Sequence, residues 1–264
     1  LMGPLRASGL GEPVTYFYDW GLAHNEDIDA EVLQAVTKHS PDLVFCSRLI
    51  QFGDRNVKVE TYDTIREQGI PLVVIWVEAT PHVMFEADKI APHTDFGVVL
   101  DSRTRYLRYT KLPDKFLFIQ EARDPKIFKV DGNWDRDIPV SFAGTCLQRA
   151  ERCSALATLW MNGFPVYKAG GKEGGGLAIE DYADILQRSK ITLSFNDAGP
   201  GDQSLKGRTV EAMLCGAMVL ETANSETCQF FEPMRDYVPF SGLEDLMHKL
   251  QWFLTHDTER EAIA

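Results

Sequence analysis

The stretch from residue 191 to 221 combines residue types that bind phosphate in proteins. An apolar run ends at Asn196, a Gly-Pro-Gly loop follows at 199–201, and Lys206 and Arg208 begin the next helical pattern. A diphosphate is bound by backbone N–H groups that glycine leaves accessible, by the positive end of a helix and by a fixed guanidinium. The stretch therefore predicts a diphosphate site, with a solvated loop before a helix as the alternative.

Two common nucleotide motifs are incomplete in this stretch. After Gly199 and Gly201, the third glycine of a dinucleotide fingerprint is replaced by Ser204, and the chain contains no Gly-Lys-Ser/Thr sequence of a P-loop. Both motifs depend on the missing residues to bring the backbone close to phosphate. The sequence thus disfavours an NAD-binding enzyme and an ATP hydrolase.

Glu211 is a carboxylate in an otherwise apolar helical pattern. Ala212, Met213 and Cys215 follow it and predict a buried helix face beside the apolar run at 217–221. A carboxylate next to a buried face needs a partner. The hydroxyls of a bound ribose would supply one, and an intrachain salt bridge to Arg or Lys is the alternative.

The segment RTVEAMLCGAMVLE (208–221) resembles the E-A-x-x-x-G donor-site motif of group 1 GT-B glycosyltransferases. It is most similar to their CgeB-like, spore-maturation-type members, which place an Arg three residues before the Glu. The resemblance covers most of the chain, including PDLVFCSR (41–48), GIPLVVIWVEATPH (69–82) and VSFAGTCLQRAERCSALATLWMNGFPVYKAGG (140–171). It implies a transferase that moves a sugar from a UDP- or GDP-type donor to a glycan or small-molecule acceptor.

The resemblance also implies roles for individual residues. Glu211 would hold the donor ribose, Gly144 and Thr145 would lie against the diphosphate, and Arg208 and Arg149 would neutralise its charge. The predicted nucleotide-binding residues are Gly144, Thr145, Arg149, Asn196, Lys206, Arg208 and Glu211. A solvated helix face is the alternative for Arg149. Gln203 stands where many retaining members have a second Glu, so the donor sugar and the stereochemical outcome stay open.

Apolar, β-branched runs alternate with amphipathic segments along the chain, as in parallel sheets joined by crossover helices. The expected strands are 14–18, 42–46, 71–77, 96–101 and 115–120 in the first half, and 139–144, 164–171, 191–196 and 217–221 in the second. We expect an α/β protein with two Rossmann-like, doubly wound domains facing a cleft, the GT-B architecture. Residues 1–133 would form an abbreviated acceptor-side domain, and residues 134–264 the domain that binds the nucleotide-sugar donor.

A catalytic base or charge stabiliser is expected from the first domain. Ligands bind beyond the carboxyl ends of parallel strands, and Glu78 and His82 directly follow the strongly apolar strand at 71–77. We therefore predict Glu78 and His82 as the catalytic residues. For His82 the alternative is a loop histidine that caps a nearby helix.

The sequence predicts neither a metal ion nor another cofactor. It has no Asp-x-Asp pair at a strand end, and its histidines lack the spacing of a zinc site. Lys206, Arg208 and the helix start would stabilise the leaving diphosphate in place of a metal.

Composition limits the partners and the compartment. The 39 Asp and Glu outnumber the 27 Lys and Arg, and the formal net charge of −12 disfavours nucleic-acid binding. The sequence has no apolar stretch of membrane-helix length and no signal-peptide pattern at its start. Its five cysteines form no CxxC pair, which is typical of reduced thiols. A cytoplasmic protein without a transmembrane segment is expected.

Two alternative functions share this architecture. A sugar-nucleotide epimerase would need several acidic and histidine side chains around one sugar, a set that the sequence does not supply. The other is a non-catalytic module that binds a nucleotide sugar and whose acceptor half has degenerated, an alternative that the short first domain leaves open.

Overall fold

The computed structural model describes residues 6, 8–9, 11–17, 24, 27–48, 53, 55–130, 136–146, 150–170, 176–199 and 202–264, with only the backbone at 197–199 and 202. The chain forms two compact units, Leu1–Glu121 and Ala122–Ala264. The α/β class with parallel sheets, predicted from the alternating pattern, is confirmed.

The division between the units lies before the segment 122–130, whereas the sequence placed it after residue 133. Phe128 is buried against Ala183 and Leu186 in a core cluster of the second unit. The Gln187 side chain also donates a hydrogen bond to the Lys129 carbonyl at 3.0 Å. This segment packs with the second unit because its apolar side chains are buried there.

The first unit contains a parallel sheet with the strand order β1-β2-β3-β4. Its strands are β1 Val44–Ser47, β2 Leu72–Trp76, β3 Phe96–Val99 and β4 Phe116–Phe118. Its helices are α1 Ile28–His39, α2 Val59–Glu67, α3 Pro81–Ile90 and α4 Arg103–Tyr109. The strand expected at 14–18 is absent from its described part, since residues 14–17 have no strand structure.

The two faces of this sheet differ in burial. Successive crossovers in one direction are right-handed and place their helices on one face, where Leu72, Val74 and Trp76 of β2 are buried. On the other face, Phe45, Phe96 and Leu117 are 55%, 56% and 57% exposed. Phe45 pairs with Val73, and Val73 pairs with Phe96, so the two phenylalanine side chains lie in one row across the sheet with Val73 between them.

Gly97 in β3 gives a first prediction. A Cβ at this position would lie 2.3 Å from Cδ1 of the buried Phe116 ring. Overpacking a core typically costs 1–3 kcal/mol, so Gly97→Ala should lower the free energy of unfolding by about 2 kcal/mol in urea titrations. Adding Phe116→Leu should recover part of this loss. Gly11→Ala is the control, because nothing lies within 4 Å of its Cβ position; an equal loss there would contradict the packing argument.

The second unit contains a five-stranded parallel sheet. Its strands are β5 Ile138–Ala143, β6 Tyr167–Ala169, β7 Ser189–Ser194, β10 Met218–Thr222 and β11 Val238–Phe240, and a hairpin is formed by β8 Asp197–Gly199 and β9 Asp202–Gln203. Its helices are α5 Ala150–Met161, α6 Ile179–Arg188, α7 Gly207–Leu214, α8 Gly242–Thr255 and α9 Asp257–Glu261. The sequence did not predict β11 or the hairpin.

The strand order of this sheet is β6-β5-β7-β10-β11. The chain order therefore reverses between β5 and β7, as in doubly wound sheets of the 2-1-3-4-5 type. Such sheets bind ligands beyond the carboxyl ends of the two strands at this switch point. The topology thus singles out the segments that follow Ala143 and Ser194.

The glycine of the E-A-x-x-x-G motif, Gly216, ends helix α7. It has φ +69°, and its N–H donates to the Met213 carbonyl at 2.9 Å. A Cβ at this position would lie 2.7 Å from Nη2 of Arg136. The positive φ and the close guanidinium both require glycine here.

Met234 gives a second prediction, because it is a non-glycine residue with φ +66°. Its side chain is exposed, and its N–H donates to the Tyr237 carbonyl at 2.7 Å. A left-handed backbone costs an L-residue roughly 1–2 kcal/mol. Met234→Gly should therefore raise the free energy of unfolding by about 1 kcal/mol, measured by urea titration. Met234→Ala keeps the β-carbon and should bring no such gain; a similar gain with Ala would show that strain is not the cause.

Candidate functional site

Arg152 of α5 joins the two strand ends at the switch point. Its Nη1 donates to the Thr145 carbonyl after β5 at 3.1 Å, and its Nη2 donates to the Phe195 carbonyl after β7 at 3.3 Å. The guanidinium lies 5.6 and 5.7 Å from the Phe142 and Phe195 ring centroids. Arg152 is buried, so it fixes the shape of the loop that begins at Gly144.

Arg208 lies against the same loop. Its guanidinium is 5.4 Å from the Phe142 ring centroid. A Cβ at Gly144 would lie 3.0 Å from its Nη1, so this close approach needs a residue without a side chain. Gly144 also has φ +150°, a backbone conformation that L side chains rarely adopt. The structure thus brings together Gly144 and Arg208, two predicted phosphate residues far apart in sequence.

Glu211 follows Arg208 by three residues, so both side chains lie on one side of α7. Its Oε1 is 2.6 Å from Nε of Arg123, and its Oε2 accepts a hydrogen bond from the Tyr182 hydroxyl at 2.7 Å. The Arg123 and Glu211 side chains are 12% and 15% exposed. The intrachain salt bridge considered for Glu211 therefore exists. A carboxylate has about four acceptor positions, which leaves room for ribose hydroxyls beside these two partners.

Burial raises the pKa of Tyr182 well above its usual value, and the nearby Glu211 carboxylate adds to this effect. The Tyr182 hydroxyl therefore keeps its proton at neutral pH and donates a hydrogen bond to the Glu211 carboxylate. Tyr182 belongs to α6, in which Ala183, Ile185 and Leu186 form the buried face.

A groove of about 390 Å³ opens beside these residues. It is lined by Ala143, Gly144, Ala169, Gly170, Leu177, Ile179 and Tyr182. Gly144 connects the groove to Arg208, and Tyr182 connects it to Glu211. The rest of the lining is apolar or glycine and suits a flat, weakly polar ring.

The other predicted binding residues lie in different surroundings. Thr145 follows Gly144, and Lys206 precedes the first residue of α7. The Asn196 side chain is fully buried and accepts a hydrogen bond from the Ser194 hydroxyl at 3.0 Å. Arg149 lies outside the described residues.

Glu78 and His82 belong to the first unit, and both are exposed. Glu78 follows β2, and His82 lies in the first turn of α3, which Thr80 caps and Pro81 begins. The Ala79 N–H donates to Asp101 after β3 at 2.8 Å, so the loop that carries Glu78 is held at the carboxyl end of the sheet.

Within the described ranges, no group of three His, Cys, Asp or Glu side chains is placed to hold a metal ion. None of the helices described in the structure is long and apolar enough to cross a membrane.

The sequence pattern does not mark Arg123 or Tyr182 as site residues. Arg123 lies in a charged segment without periodicity, before the first strand of the second unit. Tyr182 is an aromatic residue in an amphipathic helical pattern, where such a residue is common. The one available signal was the predicted need of Glu211 for a cationic partner, which does not say which Arg meets it.

Residues 133–264, half of the chain, match the family described as glycosyl transferase-like. The chain belongs to this family. The matched region holds Gly144, Arg208, Tyr182 and Glu211, and the groove lies within it. No curated protein matches the chain by sequence.

Several solved structures resemble this glycosyl transferase-like chain. Anabaena HepE in complex with UDP has 13% identity over 92% of this chain and 76% of that one, with a TM-score of 0.61. Its complex with UDP-glucose has 12% identity with the same coverage and a TM-score of 0.60. Sucrose-phosphate synthase from Thermosynechococcus elongatus has 15% identity over 95% and 74% of the two chains, with a TM-score of 0.60. These likenesses confirm the predicted fold, which has two Rossmann-like units of the GT-B type.

Proposed function

We propose that this protein transfers a sugar from a UDP- or GDP-type donor to a glycan or small-molecule acceptor, without a metal ion. We further propose that it belongs to the CgeB-like group, because Arg208 and Glu211 keep the spacing of that group's motif. The observation that carries the proposal is that Gly144 and Tyr182 line one groove, with Arg208 against the first and Glu211 against the second.

The diphosphate would lie at Gly144 and Thr145, against the Arg208 guanidinium and the start of α7. A guanidinium binds phosphate oxygens through two parallel hydrogen bonds. Charge that develops on the leaving diphosphate is best stabilised by donors already fixed in place. The Phe142 ring and the Gly144 backbone hold Arg208 in such a position, and Lys206 would add a second positive charge.

The nucleoside would occupy the rest of the groove. Glu211 would accept hydrogen bonds from the ribose hydroxyls, since Arg123 and Tyr182 hold its carboxylate in one orientation. The base would lie along Leu177 and Ile179, which contribute apolar surface to the groove. HepE, which shares the fold, binds UDP and UDP-glucose, and this supports a donor of the same chemical class.

Glu78 and His82 remain the proposed catalytic residues of the first unit. Glycosyl transfer passes through an oxocarbenium-like sugar, which a nearby carboxylate stabilises, and an acceptor hydroxyl must lose a proton. Both side chains are exposed at the carboxyl end of β2, where a ligand could contact them.

A thermal-shift screen tests the proposed donor site. The purified chain is heated with UDP, GDP, ADP, CMP and dTDP and with their common sugar conjugates. A ligand that binds only the folded state stabilises it by about 2.7 kcal/mol at a hundredfold excess over its dissociation constant. We expect a raised Tm with UDP or GDP and with the matching sugar conjugate. An unchanged Tm with all of them would overturn the proposed function.

A further inference from the structure

Glu221 is a carboxyl group in the interior of the second unit. It lies near the carboxyl end of β10, after Met218, Val219 and Leu220, and it is fully buried. Its backbone pairs with Ser194 of β7 and Pro239 of β11. Burial of a carboxyl group is costly unless hydrogen bonds compensate for the lost water, so its presence among apolar residues calls for a reason.

Four neutral side chains surround this carboxyl group. The Thr209 hydroxyl donates to Oε1 at 2.5 Å, and Asn224 Nδ2 lies 3.4 Å from Oε2. Thr227 and Asn196 complete the set. Burial raises the pKa of Glu221, and these four hydrogen bonds oppose that rise. Among the residues that the structure describes, the carboxyl group is thus held by hydrogen bonds from neutral side chains.

The partners come from three different segments. Asn196 follows β7, Thr209 belongs to α7, and Asn224 and Thr227 lie in the segment after β10, where Thr227 begins a short 3-10 helix. The Ser194 hydroxyl adds a second connection, at 3.0 Å from both Thr209 Oγ1 and Asn196 Oδ1. We call these six residues the Glu221 network: Ser194, Asn196, Thr209, Glu221, Asn224 and Thr227.

Thr209 determines how this network affects the groove. It directly follows Arg208 in the first turn of α7, and Glu211 lies two residues further on. Successive residues of a helix are rotated by about 100° around its axis. If the Thr209 side chain is held in place, the directions in which the Arg208 and Glu211 side chains leave the helix are fixed as well. A displacement of about 1 Å in a binding group can lower its contribution severalfold or more.

We infer that Glu221 is a positioning residue of the donor site, which anchors the first turn of α7 through Thr209 and thereby aims Arg208 and Glu211. The inference rests on the proposed function, because those two side chains must bind the donor for their direction to matter. Glu221 itself is fully buried and acts through Thr209.

The test compares two identical substitutions of buried threonines. Thr209→Val removes the hydroxyl that contacts Glu221. Thr192→Val removes a hydroxyl that lies 3.1 Å from Ser141 Oγ within the sheet, and both threonines are at most 1% exposed. Thr209→Val loses the contacts with Glu221 and Ser194, and Thr192→Val loses the contact with Ser141, so both variants should have a lower Tm, with the larger decrease in Thr209→Val. Isothermal titration with UDP and with GDP, well below both Tm values, then measures the Kd.

We expect Thr209→Val to weaken the Kd of the bound nucleotide by about tenfold, a change of about 1.4 kcal/mol. Thr192→Val should stay within about twofold of the wild-type chain, and Thr209→Ser, which keeps the hydroxyl, should restore most of the affinity. If Thr209→Val does not fold, Ser194→Ala tests the network at the same helix turn, because it removes the other hydroxyl that contacts Thr209; the weakening of the Kd should then be smaller, since the Thr209–Glu221 hydrogen bond remains.

Each outcome separates the inference from the proposed function. A wild-type chain that binds neither UDP nor GDP would overturn the donor site, and the inference with it. A wild-type chain that binds one of them, with the same Kd in Thr209→Val as in the wild type, would overturn the positioning role alone. An equal loss of affinity in Thr209→Val and Thr192→Val would also overturn it, because the effect would then come from general destabilisation.

Discussion

Arg208→Met should weaken the binding of UDP or GDP by about 100-fold, because hydrogen bonds to charged groups contribute roughly 1.5–3 kcal/mol each. The Arg208 guanidinium lies against Gly144 at the end of β5, where the diphosphate is proposed to bind. Isothermal titration gives the Kd. The loss should be specific for phosphate, so the weak binding of the nucleoside without phosphates should change little. The difference in Kd between Arg208→Met and the wild-type chain should depend on salt concentration.

Arg235→Met is the matched control, since it makes the same change of charge in the same unit. The Arg235 side chain is 74% exposed and pairs with Glu232, away from the groove residues. We expect its Kd to equal that of the wild-type chain. An unchanged Kd in Arg208→Met, or an equal loss in both variants, would contradict a direct contact between Arg208 and the diphosphate.

Glu211→Met should have two separable effects. It leaves the Arg123 guanidinium without its carboxylate at a site that is 12% exposed, which should lower the free energy of unfolding by about 3 kcal/mol. It should also abolish measurable nucleotide binding, because the ribose hydroxyls lose their acceptor. Urea titration measures the first effect, and isothermal titration measures the second.

The double variant Arg123→Met/Glu211→Met distinguishes a ribose contact from a purely structural salt bridge. Replacing both members of a buried ion pair by apolar residues is often nearly neutral for stability, so the double variant should unfold at a higher urea concentration than Glu211→Met. If Glu211 binds the ribose, the double variant should still fail to bind UDP or GDP. Recovery of both stability and binding would limit Glu211 to a structural role. Arg123→Met alone should bind nucleotide more weakly than the wild-type chain but not lose it.

Local pattern was sufficient to predict most of the framework. The strands of the second unit at 139–144, 191–196 and 217–221 are found at 138–143, 189–194 and 218–222, because a continuous apolar run bounded by turn residues determines a buried parallel strand. The strand expected at 14–18 has the same composition, yet residues 14–17 form none. Val14 and Phe17 are exposed, and apolar composition makes a strand only where a neighbouring strand pairs with it.

The sequence by itself determined the α/β class, the two-unit GT-B fold and the glycosyl transferase-like family. Hydrophobic periodicity and the order of the motifs can both be identified from the amino-acid sequence without knowledge of which segments contact each other. Only the tertiary structure decided that Gly144 meets Arg208, that Arg123 and Tyr182 hold Glu211, and that Glu221 joins three segments. These contacts link residues 12 to 88 positions apart. Strand order and helix packing determine which of these residues come into contact, and no local sequence pattern specifies them.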